Sequence, residues 1–138
     1  MAYEVVWEPE GVVNQFSGVV PGWEFIESVK NVQSDFRFDE ARYVINDFSE
    51  VTKNGLTEDV LTEYAALLFG AYASHPNCRV VFVTTDKALA AQVINIPAVV
   101  GLASYQTEIR PTLAEARDWL DAQPQLFLMS NVMGFRVS

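Results

Sequence analysis

The chain has 138 residues, half of them hydrophobic and a fifth charged, and a formal net charge of −9. That length is ordinarily one domain that needs no disulfide or metal staple, and the composition is globular rather than disordered. The acidity argues against nucleic-acid and anionic-membrane partners, which reward clustered Lys and Arg, and it accounts for solubility.

Tyr3 to Trp7 is β-branched and aromatic. It is followed by the turn residues Glu8-Pro9-Glu10-Gly11, and Val12 to Phe16 resumes a strand pattern, so the first unit reads as a β-hairpin. Beyond Gly18 and Pro21-Gly22, the spacing of Trp23, Phe25, Ile26, Val29 and Val32 predicts a helix ending near Ser34. Arg42 to Phe48 is the next strand, apolar in succession at Tyr43, Val44 and Ile45 as buried central strands tend to be. Past it a short loop leads to Thr57, a helix-capping residue type followed by Glu58 and Asp59, which suit the positive end of a helix dipole.

The second helix buries Val60, Leu61, Tyr64, Leu67, Leu68 and Ala71. Arg79 to Thr84 (RVVFVT) reads as a strand, and Asp86 caps a third helix whose apolar face is Leu89, Ala90, Val93 and Ile94. Pro97 interrupts or restarts that helix. Tyr105 to Arg110 alternates as a shorter strand, and Thr112-Leu113-Ala114-Glu115 is a capping box ahead of a last short helix. The order β-β-α-β-α-β-α-β-α predicts a mixed sheet with parallel central strands, a hairpin at one side and helices packed on it.

Four stretches, WEPEGVVNQFSGVVPGWEF, DFRFDEARYVINDFSEV, RVVFVTTDKALAA and TLAEARDWL, resemble in order and spacing the STAS-like family of small bacterial proteins. This is the SpoIIAA-like group related to anti-sigma-factor antagonists. The resemblance runs from about Tyr3 to Leu120 and is most specific in DFRFDEARYVINDFSEV. It implies an α/β fold: one STAS-like (SpoIIAA-like) domain over residues 1–121, with a mixed sheet of about four or five strands flanked by helices. Residues 122–138 are then an apolar C-terminal extension. The fold implied is also like that of CRAL-TRIO-type lipid-binding domains.

In anti-sigma-factor antagonists the loop after this strand reads like DSSGL, and its second serine is phosphorylated by a partner kinase. Laid without gaps from Asp47, that serine falls on Ser49; matched at the start of the following helix, it falls on Thr57. A helix start holds a phosphate well, which favours Thr57. Glu50 beside Ser49, and Glu58 and Asp59 beside Thr57, would repel a phosphate. An N-cap worth about 1 kcal/mol accounts for Thr57 without any switch.

Other chemistry is sparse. Cys78 is the only cysteine and His75 the only histidine, so neither an intramolecular disulfide nor a multi-histidine metal site can form within the chain. The two lie close together across a Pro-Asn turn, but no third group is evident to orient the imidazole for nucleophilic work. Phosphate-loop and dinucleotide motifs are missing. No catalytic residue, metal or cofactor is assigned, and the protein is expected not to be an enzyme. With a lone cysteine, no signal-peptide pattern and no apolar run of the roughly 20 residues a membrane span needs, a cytoplasmic location is expected.

Two apolar segments stand out. VINIPAVVGLA, Val93 to Ala103, carries no charge; core packing accounts for it, or else Val93, Ile96, Val99, Val100 and Leu102 cover a small hydrophobic ligand. The tail LFLMSNVMGFRVS holds Leu126, Phe127, Leu128, Met129, Met133 and Phe135, too many apolar groups to leave in water; they fold back on their own sheet, add a strand to its edge or pack on a second copy, and a homodimer contact is the favoured expectation. The functional expectation is a regulatory protein–protein interaction module; the alternative is a carrier or sensor of a small hydrophobic ligand.

Overall fold

In the computed structural model, which describes residues 3–74, 78–95 and 107–123, the chain opens on the expected hairpin. Strands β1 (Tyr3–Trp7) and β2 (Gly11–Val20) run antiparallel, Trp7 opposite Val12 and Tyr3 opposite Phe16. The Glu8 N–H donates to the Gly11 carbonyl at 2.8 Å and closes the turn. There follow α1 (Gly22–Ser34), β3 (Tyr43–Asn54), α2 (Glu58–Ser74), β4 (Arg79–Val83), α3 (Lys87–Ile94), β5 (Thr107–Arg110) and α4 (Leu113–Ala122). A 3-10 turn at Phe36–Glu40, which periodicity did not reveal, links α1 to β3. Its start is closed by Asp35, whose carboxylate accepts the Arg37 backbone N–H at 2.9 Å.

The strands stand in the sheet in chain order, β1-β2-β3-β4-β5, with β1 antiparallel and the other neighbours parallel. Every parallel crossover therefore steps the same way, and right-handed crossovers then put all their helices on one face. Packing agrees. Phe25, Val29 and Val32 of α1, Leu61, Tyr64 and Leu68 of α2, and Leu89 and Val93 of α3 share one core with Val12, Phe16, Val44, Phe48, Val80 and Phe82 of the sheet. The alternate strand residues Val13, Ile45, Val81 and Val83 face the other way and pack with Ala116, Leu113, Trp119 and Leu120 of α4.

Helix α4 is held by local and distant ties. Its cap is Thr112, whose hydroxyl accepts the Glu115 N–H at 3.1 Å. Arg117 donates to both carboxylate oxygens of Glu8 at 3.0 and 2.7 Å, and the Tyr43 hydroxyl donates to the same carboxylate. The Arg117 hydrogen bonds hold the Glu8 carboxyl below its ordinary 4.5, against burial and with help from Tyr43. A carboxyl lowered in the folded state contributes stability that is whole above its unfolded pKa and is lost as pH falls through the folded one. Glu8→Gln is thus expected to flatten the fall of the urea midpoint between about pH 5 and pH 3. An unchanged slope would show that the clamp contributes nothing to folding.

Two boundaries differ from expectation: strand β2 does not stop at Phe16 but runs through Gly18 to Val20. Strand β3 does not stop at Phe48 but runs on to Asn54. Its second half pairs with the second half of β2, Ser17 with Glu50 and Val20 with Asn54, beyond the point where β4 leaves the ladder at Val83. This two-stranded arm is kinked between Gln15 and Ser17 and again between Gly18 and Val19; Gly18 takes the left-handed φ of +65° that such a bulge favours. Polar residues read as loop because most of the arm is solvated; its strand geometry comes from a partner distant in sequence. Ser49 therefore lies inside a strand. Ile96, Val99, Val100, Leu102 and the tail residues Leu126, Phe127, Leu128, Met129, Met133 and Phe135 lie outside the described residues.

Candidate functional site

The corner joining β3 to α2 is short: Gly55, Leu56 and Thr57. Leu56 is buried, and its N–H is accepted by the Asn54 side chain at 3.1 Å. Thr57 is the N-cap, its hydroxyl accepting the Val60 N–H at 3.3 Å while its carbonyl accepts Leu61 N–H at 2.9 Å. The neighbouring β2–α1 corner touches it. Gly55 N–H donates to the Val20 carbonyl at 2.8 Å, and a Cβ on Gly22 would lie 2.5 Å from Val60 Cγ2 and 2.7 Å from the Gly55 carbonyl. Only glycine lets these two backbones meet.

Two large apolar side chains flank the joined corners in the open. Val19, the arm residue opposite Lys53, is 61% exposed, and Trp23, in the first turn of α1, is 65% exposed. Trp23 and the exposed Thr57 thus stand at the joined corners, while Val19 follows the strand alternation away from the core-facing Val20. Ser49 is exposed on the arm, with its own N–H donating to the Asp47 carboxylate at 2.9 Å and Glu50 adjacent. The two phosphorylation candidates thus differ in setting: Thr57 sits where free helix N–H groups point, Ser49 beside a carboxylate.

A second place was not anticipated. Asn14 and Asn46 are register partners on the face that carries α1, α2 and α3, each 1% exposed. Asn14 Nδ2 donates to Asn46 Oδ1 at 3.1 Å. Among the described residues, Asn14 Oδ1, Asn46 Nδ2 and the hydroxyl of the equally buried Tyr64 on α2 have no hydrogen-bond partner. All three residues line a cavity of about 30 Å³ between the sheet and the C-terminal halves of α1 and α2, whose remaining wall is mostly apolar, including Val32, Val44 and Leu68. Burial pushes the Tyr64 hydroxyl well above its ordinary range, nearby Cys78 adds to this, and the Asn46 side chain, which approaches it without completing a hydrogen bond, opposes it. Tyr64 therefore stays a neutral donor and acceptor. A signal was present in the sequence: VVNQF and VINDF each break an apolar strand with asparagine at the same place.

Cys78 also lines this cavity, and burial pushes its thiol up to about 12. At neutral pH it is a thiol, not the thiolate a nucleophile requires. His75 lies outside the described residues. No group of three or more His, Cys, Asp or Glu side chains among the described residues is placed to hold a metal ion. No helix among the described residues is long and apolar enough to cross a membrane. Val93 is fully buried in the main core and does not line the cavity.

No protein-family model matches the sequence, and no curated protein matches it. Among solved structures, the anti-sigma factor antagonist SpoIIAA in its unphosphorylated form is similar with a TM-score of 0.54 and 12% sequence identity. The match covers 88% of this chain and 100% of that one. With its five-stranded mixed sheet, its hairpin edge and its helices in this order, the chain has the SpoIIAA-like, or STAS-like, α/β fold.

Proposed function

We propose that this chain is a regulatory protein–protein interaction module that acts without catalysis and docks its partner at the joined corners of β2–α1 and β3–α2. The observation that carries this reading is the exposure of Trp23, 65%, in the first turn of α1, at the corner where Gly22 meets Gly55 two residues before Thr57. An exposed tryptophan on a rigid corner is the kind of anchor on which interfaces concentrate their energy. The structural neighbour is by name an antagonist of an anti-sigma factor, which is itself a protein target. The net charge of −9 suits a basic partner surface.

Thr57 is the control point in this reading, in preference to Ser49. A phosphate on Thr57 meets the α2 N-terminus, with Glu58 and Asp59 offsetting part of the attraction; on Ser49 it meets Asp47 and Glu50. The tail residues Leu126, Phe127, Leu128, Met129, Met133 and Phe135 are assigned to a contact with a second copy. Native mass spectrometry of the full chain and of a chain ending at Gln123 tests that contact; an unchanged oligomeric state would remove it.

To test the docking corner, a photo-crosslinking amino acid at position 23 identifies the partner in cells. Trp23→Ala is then expected to weaken its binding about thirtyfold, the loss of an anchor of about 2 kcal/mol, while the melting temperature holds because the side chain stands in solvent. Thr57→Glu is expected to change partner affinity while lowering stability by no more than the lost N-cap, about 1 kcal/mol. Affinities equal to that of the unmodified protein in both variants would remove the corner from the function.

A further inference from the structure

The Asn14–Asn46–Tyr64 cluster is costly as it stands. Each buried polar atom left without a partner costs about 1–3 kcal/mol, and three of them meet in one cavity. Branched apolar residues at both strand positions would avoid this cost, as their neighbours Val12, Val44 and Phe48 do. Turning both amides over would swap which asparagine donates to the other, yet one donor and one acceptor would still face the cavity.

We propose that this cavity binds a small neutral molecule with an amide or hydroxyl head and a short apolar tail. The head matches the free groups: its donor goes to Asn14 Oδ1, its acceptor takes Asn46 Nδ2–H, and the Tyr64 hydroxyl completes the set in either sense. Neutrality follows from the wall, which contains no Lys, Arg, His, Asp or Glu side chain among its described residues. A charge placed there would be desolvated without compensation. The tail meets Val32, Val44 and Leu68, apolar groups that reward it. Size limits the molecule to a small one, because the cavity is only about 30 Å³.

Gln33, another lining residue, donates its side-chain amide on α1 to the Leu67 carbonyl on α2 at 3.3 Å and so ties together the two helices that wall the cavity. The site is separate from the docking corner, which lies at the other ends of α1 and α2, and does not depend on it.

Propionamide is the probe, with propionate as its charged counterpart, titrated into the full chain while the side-chain amide signals of Asn14 and Asn46 are followed by 15N–1H NMR. Saturable movement of both signals is expected with propionamide and none with propionate. Tyr64→Phe keeps the ring and loses a hydroxyl that has no protein partner, so it folds, and it is expected to weaken propionamide about fivefold, one hydrogen bond of about 1 kcal/mol. Three results would overturn the proposal: no movement up to the solubility of the amide, equal movement with propionate, or equal affinity in Tyr64→Phe. Nuclear Overhauser contacts that persist at saturating propionamide, from the two amides to residues 124–138 or to long-lived water alone, would also overturn it, assigning the cavity to the chain's own tail or to solvent.

Discussion

Phe25→Ala is expected to lower the stability of the domain by about 3–5 kcal/mol, the range for removing a large aromatic from a close-packed core. Phe25 is fully buried on α1, and its ring meets four others, with centroids 5.0 Å away at Tyr64, 5.7 Å at Phe16, 5.9 Å at Phe48 and 6.0 Å at Phe82. Those partners come from β2, β3, α2 and β4. One side chain therefore joins two helices to three strands, and its loss leaves a void that none of them can fill alone. Domains of this size are stable by only about 5–15 kcal/mol, so the loss is a large share of the total. Phe25→Leu, which keeps more of the volume, is expected to cost about 1.5 kcal/mol. Urea midpoints compare the two. A loss under about 1 kcal/mol for the alanine variant would mean that the surrounding rings repack, and that Phe25 is not the joint described above.

The second large effect is at the meeting of the two corners. Gly22→Ala is expected to cost about 3 kcal/mol, the upper end for overpacking, because the new methyl falls on neighbours that have little room to yield. It would lie 2.5 Å from Val60 Cγ2 and 2.7 Å from the Gly55 carbonyl oxygen. Rotating Val60 relieves only the first clash; the second is with backbone. Gly55→Ala meets the Gly22 nitrogen at 2.8 Å and is expected to behave alike. Two other glycines separate steric cause from conformational cause. Gly18 has a φ of +65° but open space around it, so alanine there is expected to cost only about 1 kcal/mol of backbone strain. Gly70 lies within α2 with nothing near its would-be Cβ, and alanine there is expected to stabilise by about 0.5–1 kcal/mol. Calorimetric melting of the four variants ranks them. If Gly22→Ala melts with the unmodified protein, the corners are looser than drawn and cannot hold Trp23 and Thr57 in fixed relation. If it melts lower and partner affinity falls as well, packing and docking share the same few atoms.

The order of elements was legible because each has its own local signal. RVVFV is a short β-branched apolar run of the kind buried strands use, Asp86 and Thr112 are caps that accept the N–H groups expected of them, and Trp23 to Val32 repeats at helical spacing. The hairpin followed from turn chemistry at Glu8 to Gly11. From that order alone, with short right-handed crossovers, a mixed sheet with a hairpin edge is close to obligatory.

What the sequence could not express was pairing between distant residues. Ser49 to Asn54 is polar and reads as loop; it is strand because Ser17 to Val20 supplies its ladder. Asn14 and Asn46 look like two unrelated polar interruptions until register sets them side by side under Tyr64. Gly22 and Gly55 are ordinary turn glycines until the fold presses their backbones together. Local propensity acts over a turn or a strand, so it determined which elements form and in what order. The bulged arm, the buried polar cluster and the joined corners each depend on two segments held against one another, and only the packed tertiary structure decided them.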